Sequence, residues 1–170
     1  MEDLKNNYVN RGSKAYIKII VALFISGFTI FSILYSVQPL IPHFTQSFNV
    51  SETVASLALS AATLTLAFAM LFFGAISEVI GRKPIMIFSV ISVSLLALVQ
   101  PFITDFNTFL IVRLIQGICL AGLPSIAMAY IGEEISAHSL PEAMGIYISG
   151  NAFGGAFGRI FTGFISSIYG

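Results

Sequence analysis

Long stretches without a single charged side chain dominate this chain and decide the solvent in which it folds. Uncharged residues run over 19–42, 54–76, 84–104, 114–132 and 143–158, the last two adjoining the lone arginines Arg113 and Arg159. A helix crosses the hydrocarbon core with roughly 20 predominantly apolar residues, so five spans fit, over about 19–42, 54–77, 84–104, 106–132 and 142–168. Charged residues are only 9% of the chain and its mean hydropathy is +0.92, where soluble domains carry about 25% charged residues. The expected fold is an all-α membrane protein of five transmembrane helices, with the lipid bilayer as its surroundings. A segment over 1–18 precedes one membrane unit over 19–170, and no Pro/Gly/Ser-rich linker divides it.

The cations set the expected orientation. Lys5, Arg11, Lys14 and Lys18 precede the first span, and Arg82 and Lys83 follow the second, whereas the connections 43–53 and 105–107 hold no Lys or Arg. Lys and Arg concentrate in cytoplasmic loops, which places the N-terminus and the 2–3 connection in the cytoplasm, with the protein in the inner or plasma membrane. About fifteen polar residues before a first apolar run of this length argue against a cleavable signal peptide.

Most catalytic and metal chemistries lack their residues here. His43 and His138 lie in connections without a Cys/His cluster, and Cys119, the only cysteine, sits among apolar neighbours as a packing residue. Neither a nucleotide-binding G-x-x-x-x-G-K-[ST] run nor an intramembrane Ser/His or paired-Asp arrangement is present. The chain is therefore not expected to be an enzyme or to hold a cofactor, and its few basic residues suit topology rather than nucleic acid. Asn49 or Ser51 is expected to cap the second span, and Ser139 with Glu142 reads as a capping box that starts the fifth.

Three clusters of residues stand out against this background. In the 2–3 connection, 74–83, Gly81 suits positive φ at a tight reversal, and Gly74 removes bulk where another helix could approach. Arg113, with Gln116 and Gly117, lies about 10 Å below the outer end of the fourth span, at about 1.5 Å per residue. Gly150, Gly154 and Gly158 recur every four residues and make a smooth face for a close neighbour, with Asn151 and Gly155 beside them. At the end of the first span, Pro39 favours a bend, and Tyr35 and Gln38 share a face. That pair could line a substrate path or sit in the outer interface. Arg113 and Arg159 lack an intramembrane carboxylate. Each needs a water-filled cavity that receives an anionic group or an acidic partner outside this chain; the cavity is the expectation for Arg113 and the partner for Arg159.

These clusters resemble motifs of the major facilitator superfamily. Gly74, Glu78, Gly81, Arg82 and Lys83 match its G-x-L-A-D-R-x-G-R-K loop, with Glu78 where the family usually has Asp and Val79 where it often has Arg. Arg113, Gln116 and Gly117 resemble its fourth-helix R-x-x-Q-G, and Gly150, Gly154 and Gly155 its antiporter motif G-P-x-x-G-G, with Asn151 in place of the proline. The resemblance implies part of the N-terminal helical bundle of a twelve-helix secondary transporter, truncated after five helices. It further implies proton-coupled export of a small organic molecule as substrate. Arg113 would then couple protons and Glu78 would latch to a missing C-terminal half or a partner chain. The alternative expectation is a non-transporting scaffold that associates through the face of Gly150, Gly154 and Gly158.

Overall fold

The computed structural model describes residues 8–169; Lys5 of the N-terminal cation cluster lies outside them. Seven α-helices make five long rods: α1 (Lys14–Ser36) with α2 (Ile41–Ser47), α3 (Glu52–Ile80), α4 (Arg82–Val99), α5 (Phe106–Ala121) with α6 (Pro124–Glu134), and α7 (Leu140–Tyr169). Among the described residues the backbone forms no strand, only one isolated bridge between Val9 and Ile135. Four stretches, Lys14–Ser47, Glu52–Ile80, Arg82–Phe102 and Phe106–Glu134, are long and apolar enough to cross a membrane. The fifth rod, α7, lies alongside α1 and is longer, 30 residues against 23.

Local chemistry sets where the rods begin and bend. Ser13, Ser51 and Asp105 cap α1, α3 and α5, each accepting a backbone N–H three residues on. The first span starts at Lys14, ahead of its uncharged run, because Ser13 supplies that cap. It breaks where Pro39 interrupts the hydrogen-bond ladder: a 3-10 turn over Gln38–Leu40 separates α1 from α2. The fourth span also divides, at Gly122 to Pro124, a break that hydropathy alone did not reveal. Gly81 has φ 98° and turns α3 directly into α4. The capping box expected at α7 is absent. Glu142 pairs instead with Arg11 at 2.9 Å, and the Ser139 hydroxyl accepts from that of Ser136 at 3.2 Å.

Close backbone approach joins the rods in two pairs. Along α1 and α7, a Cβ on Gly150 would lie 2.7 Å from the Phe24 carbonyl oxygen. Cβ atoms on Gly154 and Gly158 would overlap the carbonyls of Phe28 and Ser32. The Ser32 hydroxyl donates across this seam to the Gly154 carbonyl at 2.9 Å. Along α3 and α5, Gly117 leaves the space filled by the Ala62 carbonyl and the Thr65 hydroxyl, and Thr65 donates to the Leu114 carbonyl at 2.9 Å. Small residues and cross-helix hydrogen bonds are what hold helices together in lipid, where apolar burial supplies no driving force between them. Around Gly74, by contrast, nothing among the described residues lies within 4 Å of where its Cβ would be. The outer surface carries Leu71, Phe72, Ile87, Leu98 and Phe153, all exposed, as a bilayer requires.

Two outcomes follow. Gly154→Leu overpacks the α1–α7 seam at a cost of about 1–3 kcal/mol or more, whereas Gly145→Leu, at a glycine with open space around it, changes little. Thermal unfolding of the micellar protein, followed through exposure of its single thiol Cys119, separates the two; equal midpoints would contradict the packing. Hydrogen bonds from the backbone and hydroxyl of Thr108 hold the Asp105 carboxyl below its usual range. The stability Asp105 adds is therefore present at neutral pH and lost as pH falls through that lowered value. Asp105→Ala should remove this acid dependence, read from unfolding midpoints against pH.

Candidate functional site

Arg113 sits on α5, about two turns from its start, and its side chain has no solvent exposure. Nε donates to the Ala58 carbonyl of α3 at 2.7 Å, Nη2 to the Leu34 carbonyl of α1 at 3.2 Å, and Nη1 to Gln116 Oε1 at 2.6 Å. One guanidinium therefore ties three helices through neutral acceptors, and among the described residues no carboxylate pairs with it. This corrects the expectation that Arg113 faces an open cavity. Its fork is already occupied by the backbone carbonyls of Ala58 and Leu34 and by the Gln116 side chain. Gln116, also unexposed, donates to the Val93 carbonyl of α4 at 3.4 Å. Its Oε1 further accepts from Gln100 at 2.6 Å. Gln100, at the end of α4 beside Pro101, was not singled out in the sequence; the one available signal was a second glutamine at the outer end of an otherwise apolar span.

Arg159 presents the opposite case. It is exposed on α7, its Nε donates to Gln38 Oε1 at 2.8 Å, and its Cζ lies 4.1 Å from the centre of the Tyr35 ring. A Cβ on Gly155 would come 3.1 Å from that ring, so the glycine makes room for it. Sequence reasoning assigned Arg159 an acidic partner outside the chain, yet Tyr35 and Gln38, singled out separately, already hold it. Asn151 turns into the α1–α7 seam, where a Cβ on Gly27 would overlap its Oδ1. That oxygen and the Tyr147 hydroxyl are buried without a hydrogen-bond partner.

At the other end of the bundle the 2–3 connection is stapled to α6. Arg82 Nε contacts both carboxylate oxygens of Glu133 at 3.0 and 2.9 Å, and its Nη1 donates to Ser77 Oγ at 2.9 Å. Lys83 pairs with Glu134 at 3.0 Å and lies 5.3 Å from the Tyr130 ring centre. Glu78 is exposed and forms no ion pair with either cation. The sequence had assigned the acidic connection only the start of the fifth span; its first two carboxylates in fact neutralise the loop. Nearby, a cleft of about 480 Å³ between α1, α4 and α6 is lined by Lys18, Ser26, Lys83, Tyr130 and apolar side chains, and touches neither Arg113 nor Arg159. No group of His, Cys, Asp or Glu among the described residues could hold a metal.

The helical arrangement and the placement of these motifs accord with the comparisons to known proteins. The family model of the Major Facilitator Superfamily matches residues 23–170. The chain belongs to the major facilitator superfamily. An uncharacterized MFS-type transporter of Bacillus subtilis, YybF, is 55% identical over 94% of this chain and 39% of its own length. An uncharacterized transporter of Buchnera aphidicola from Acyrthosiphon pisum is 40% identical over 96% of this chain and 40% of its own. The inner membrane transport protein YnfM of Escherichia coli is 35% identical over 96% of this chain and 39% of its own. The chain thus spans about two fifths of the length of these superfamily relatives. No solved structure matches it. As in this superfamily generally, the chain is a multi-pass membrane protein.

The staple can be measured in place. Glu133 is 54% exposed at its side chain, so a double-mutant cycle of Arg82→Ala and Glu133→Ala should return a small favourable coupling that shrinks as salt is added. A coupling of zero at low salt would contradict the pairing.

Proposed function

We infer that this chain is the N-terminal part of a proton-coupled secondary transporter that exports a small organic solute. The observation that carries the reading is Arg113: a fully buried guanidinium tied to α1, α3 and α5 by neutral acceptors alone. A charge kept at that depth costs several kcal/mol, and a neutral side chain could staple the same helices. What a permanent charge adds is sensitivity to water and protons. When helices separate and the guanidinium leaves its carbonyls, it can favour the ionised form of a carboxyl group brought by the solute or by the rest of the protein, and that group gives up its proton as the binding site changes sides.

The 2–3 connection supports the same reading. Glu133 and Glu134 already neutralise Arg82 and Lys83, so Glu78 is left to reach across to a second helical half and hold one of the two arrangements. Arg11, Lys14, Lys18, Arg82 and Lys83 gather at this end of the bundle, while the opposite end carries Glu52 and Asp105; this suits a cytoplasmic N-terminus in the inner membrane. The scaffold alternative is not favoured, because the Gly150, Gly154 and Gly158 face it requires is covered by α1.

Everted membrane vesicles loaded with acridine orange provide the test. Across a panel of small organic solutes, those exported should dissipate the pH gradient in vesicles carrying the protein. Arg113→Ala should slow that dissipation roughly ten- to a hundredfold, the scale of a lost charged hydrogen bond. Unchanged dissipation in the variant would overturn the role of Arg113, and absence of any solute-dependent signal would overturn coupled export.

A further inference from the structure

Arg159 is the one described arginine that neither pairs with a carboxylate nor has all three of its nitrogens engaged. Arg11 and Arg82 pair with Glu142 and Glu133, and the three nitrogens of Arg113 are all occupied. On Arg159 only Nε is taken, by Gln38 at 2.8 Å, and the Tyr35 ring covers one face of the guanidinium, 4.1 Å from Cζ. The terminal nitrogens carry four N–H donors in a fixed fork, the arrangement that meets two oxygens of one oxyanion side by side. Both partners are neutral, so they orient the group without cancelling its charge. Ordering a long side chain costs rotamer entropy, and here that cost is met by partners that leave the outward-facing donors free.

The surroundings also separate this arginine from lipid. Arg159 lies ten residues before the last residue of α7, about 15 Å along the axis, too deep for hydrocarbon to tolerate an exposed charge cheaply. Helical periodicity places Ala152, Ala156, Thr162 and Ser166 on its face, all small, whereas Phe153, Ile160 and Phe164 project from another exposed face. A face of small side chains around one preorganised guanidinium leaves room for a ligand and water, while the aromatic face suits acyl chains.

We propose that Arg159, oriented by Tyr35 and Gln38, is the subsite that takes the oxyanion of the transported solute, which is therefore a small organic acid. This rests on the transport reading above and names its substrate class. Phenylglyoxal modification of the purified protein in phosphate-free maltoside micelles, read arginine by arginine through peptide mass spectrometry, tests it. Arg159 should react while Arg113 stays protected. Millimolar benzoate should slow reaction at Arg159 about fivefold, as expected for a bidentate carboxylate, and benzamide, with the same ring and no charge, should not. Tyr35→Leu should weaken the benzoate protection about fivefold through loss of the cation–π contact. Three results would overturn the proposal: an Arg159 that is inert in the folded protein, as an acidic segment covering it would make it; equal protection by benzoate and benzamide; or protection by added phosphatidylglycerol but not by benzoate, which would assign the fork to a lipid headgroup. The readout is modification, not transport, so silent vesicles would leave a positive result standing, and a negative one would leave coupled export intact.

Discussion

The guanidinium of Arg113 is the point at which this bundle closes. Two helix pairs, α1 with α7 and α3 with α5, could each form from their own close approaches at glycine, but those seams do not bring one pair to the other. Arg113 does so, by reaching from α5 to the Ala58 carbonyl on α3 and the Leu34 carbonyl on α1. Gln116 and Gln100 extend the network to α4. In water such a group would be a poor choice, since a solvated carbonyl gains little from it. In a bilayer, where polar groups cannot turn to solvent, the same contacts are worth more and the charge is harder to dislodge.

The two arginines show how one residue type serves two purposes according to what surrounds it. Both were conspicuous in the sequence as cations without an intramembrane carboxylate, and composition offered no reason to treat them differently. The structure separates them: Arg113 is enclosed by carbonyls, and Arg159 is exposed, with Tyr35 and Gln38 fixing its plane. The difference depends on which side of its helix each occupies, and so on packing between helices distant in sequence, information that spacing within one helix does not carry.

Where sequence reasoning succeeded, the physics was local. Uncharged runs of bilayer length located the spans, Ser51 capped α3, Pro39 broke the first rod, and the four-residue recurrence of Gly150, Gly154 and Gly158 marked a tight seam, because each depends on neighbours a few residues away. Where it fell short, the partner was far off in sequence. Glu142 found Arg11 instead of its own helix start, and Glu133 and Glu134 crossed to the 2–3 connection. The break at Pro124 was local but was masked by the unbroken hydropathy on either side.

The most direct measurement is the exchange of arginine side-chain protons with water, by solid-state NMR of the protein labelled with nitrogen-15 arginine in bilayers, with Arg113 and Arg159 assigned through Lys substitutions. The account predicts that the Arg113 Nε–H is shielded from water while the terminal N–H groups of Arg159 exchange with it readily. Exchange at Arg113 as fast as at Arg159 would mean that the guanidinium faces water and not the carbonyls of α1 and α3, and would contradict the account at its centre.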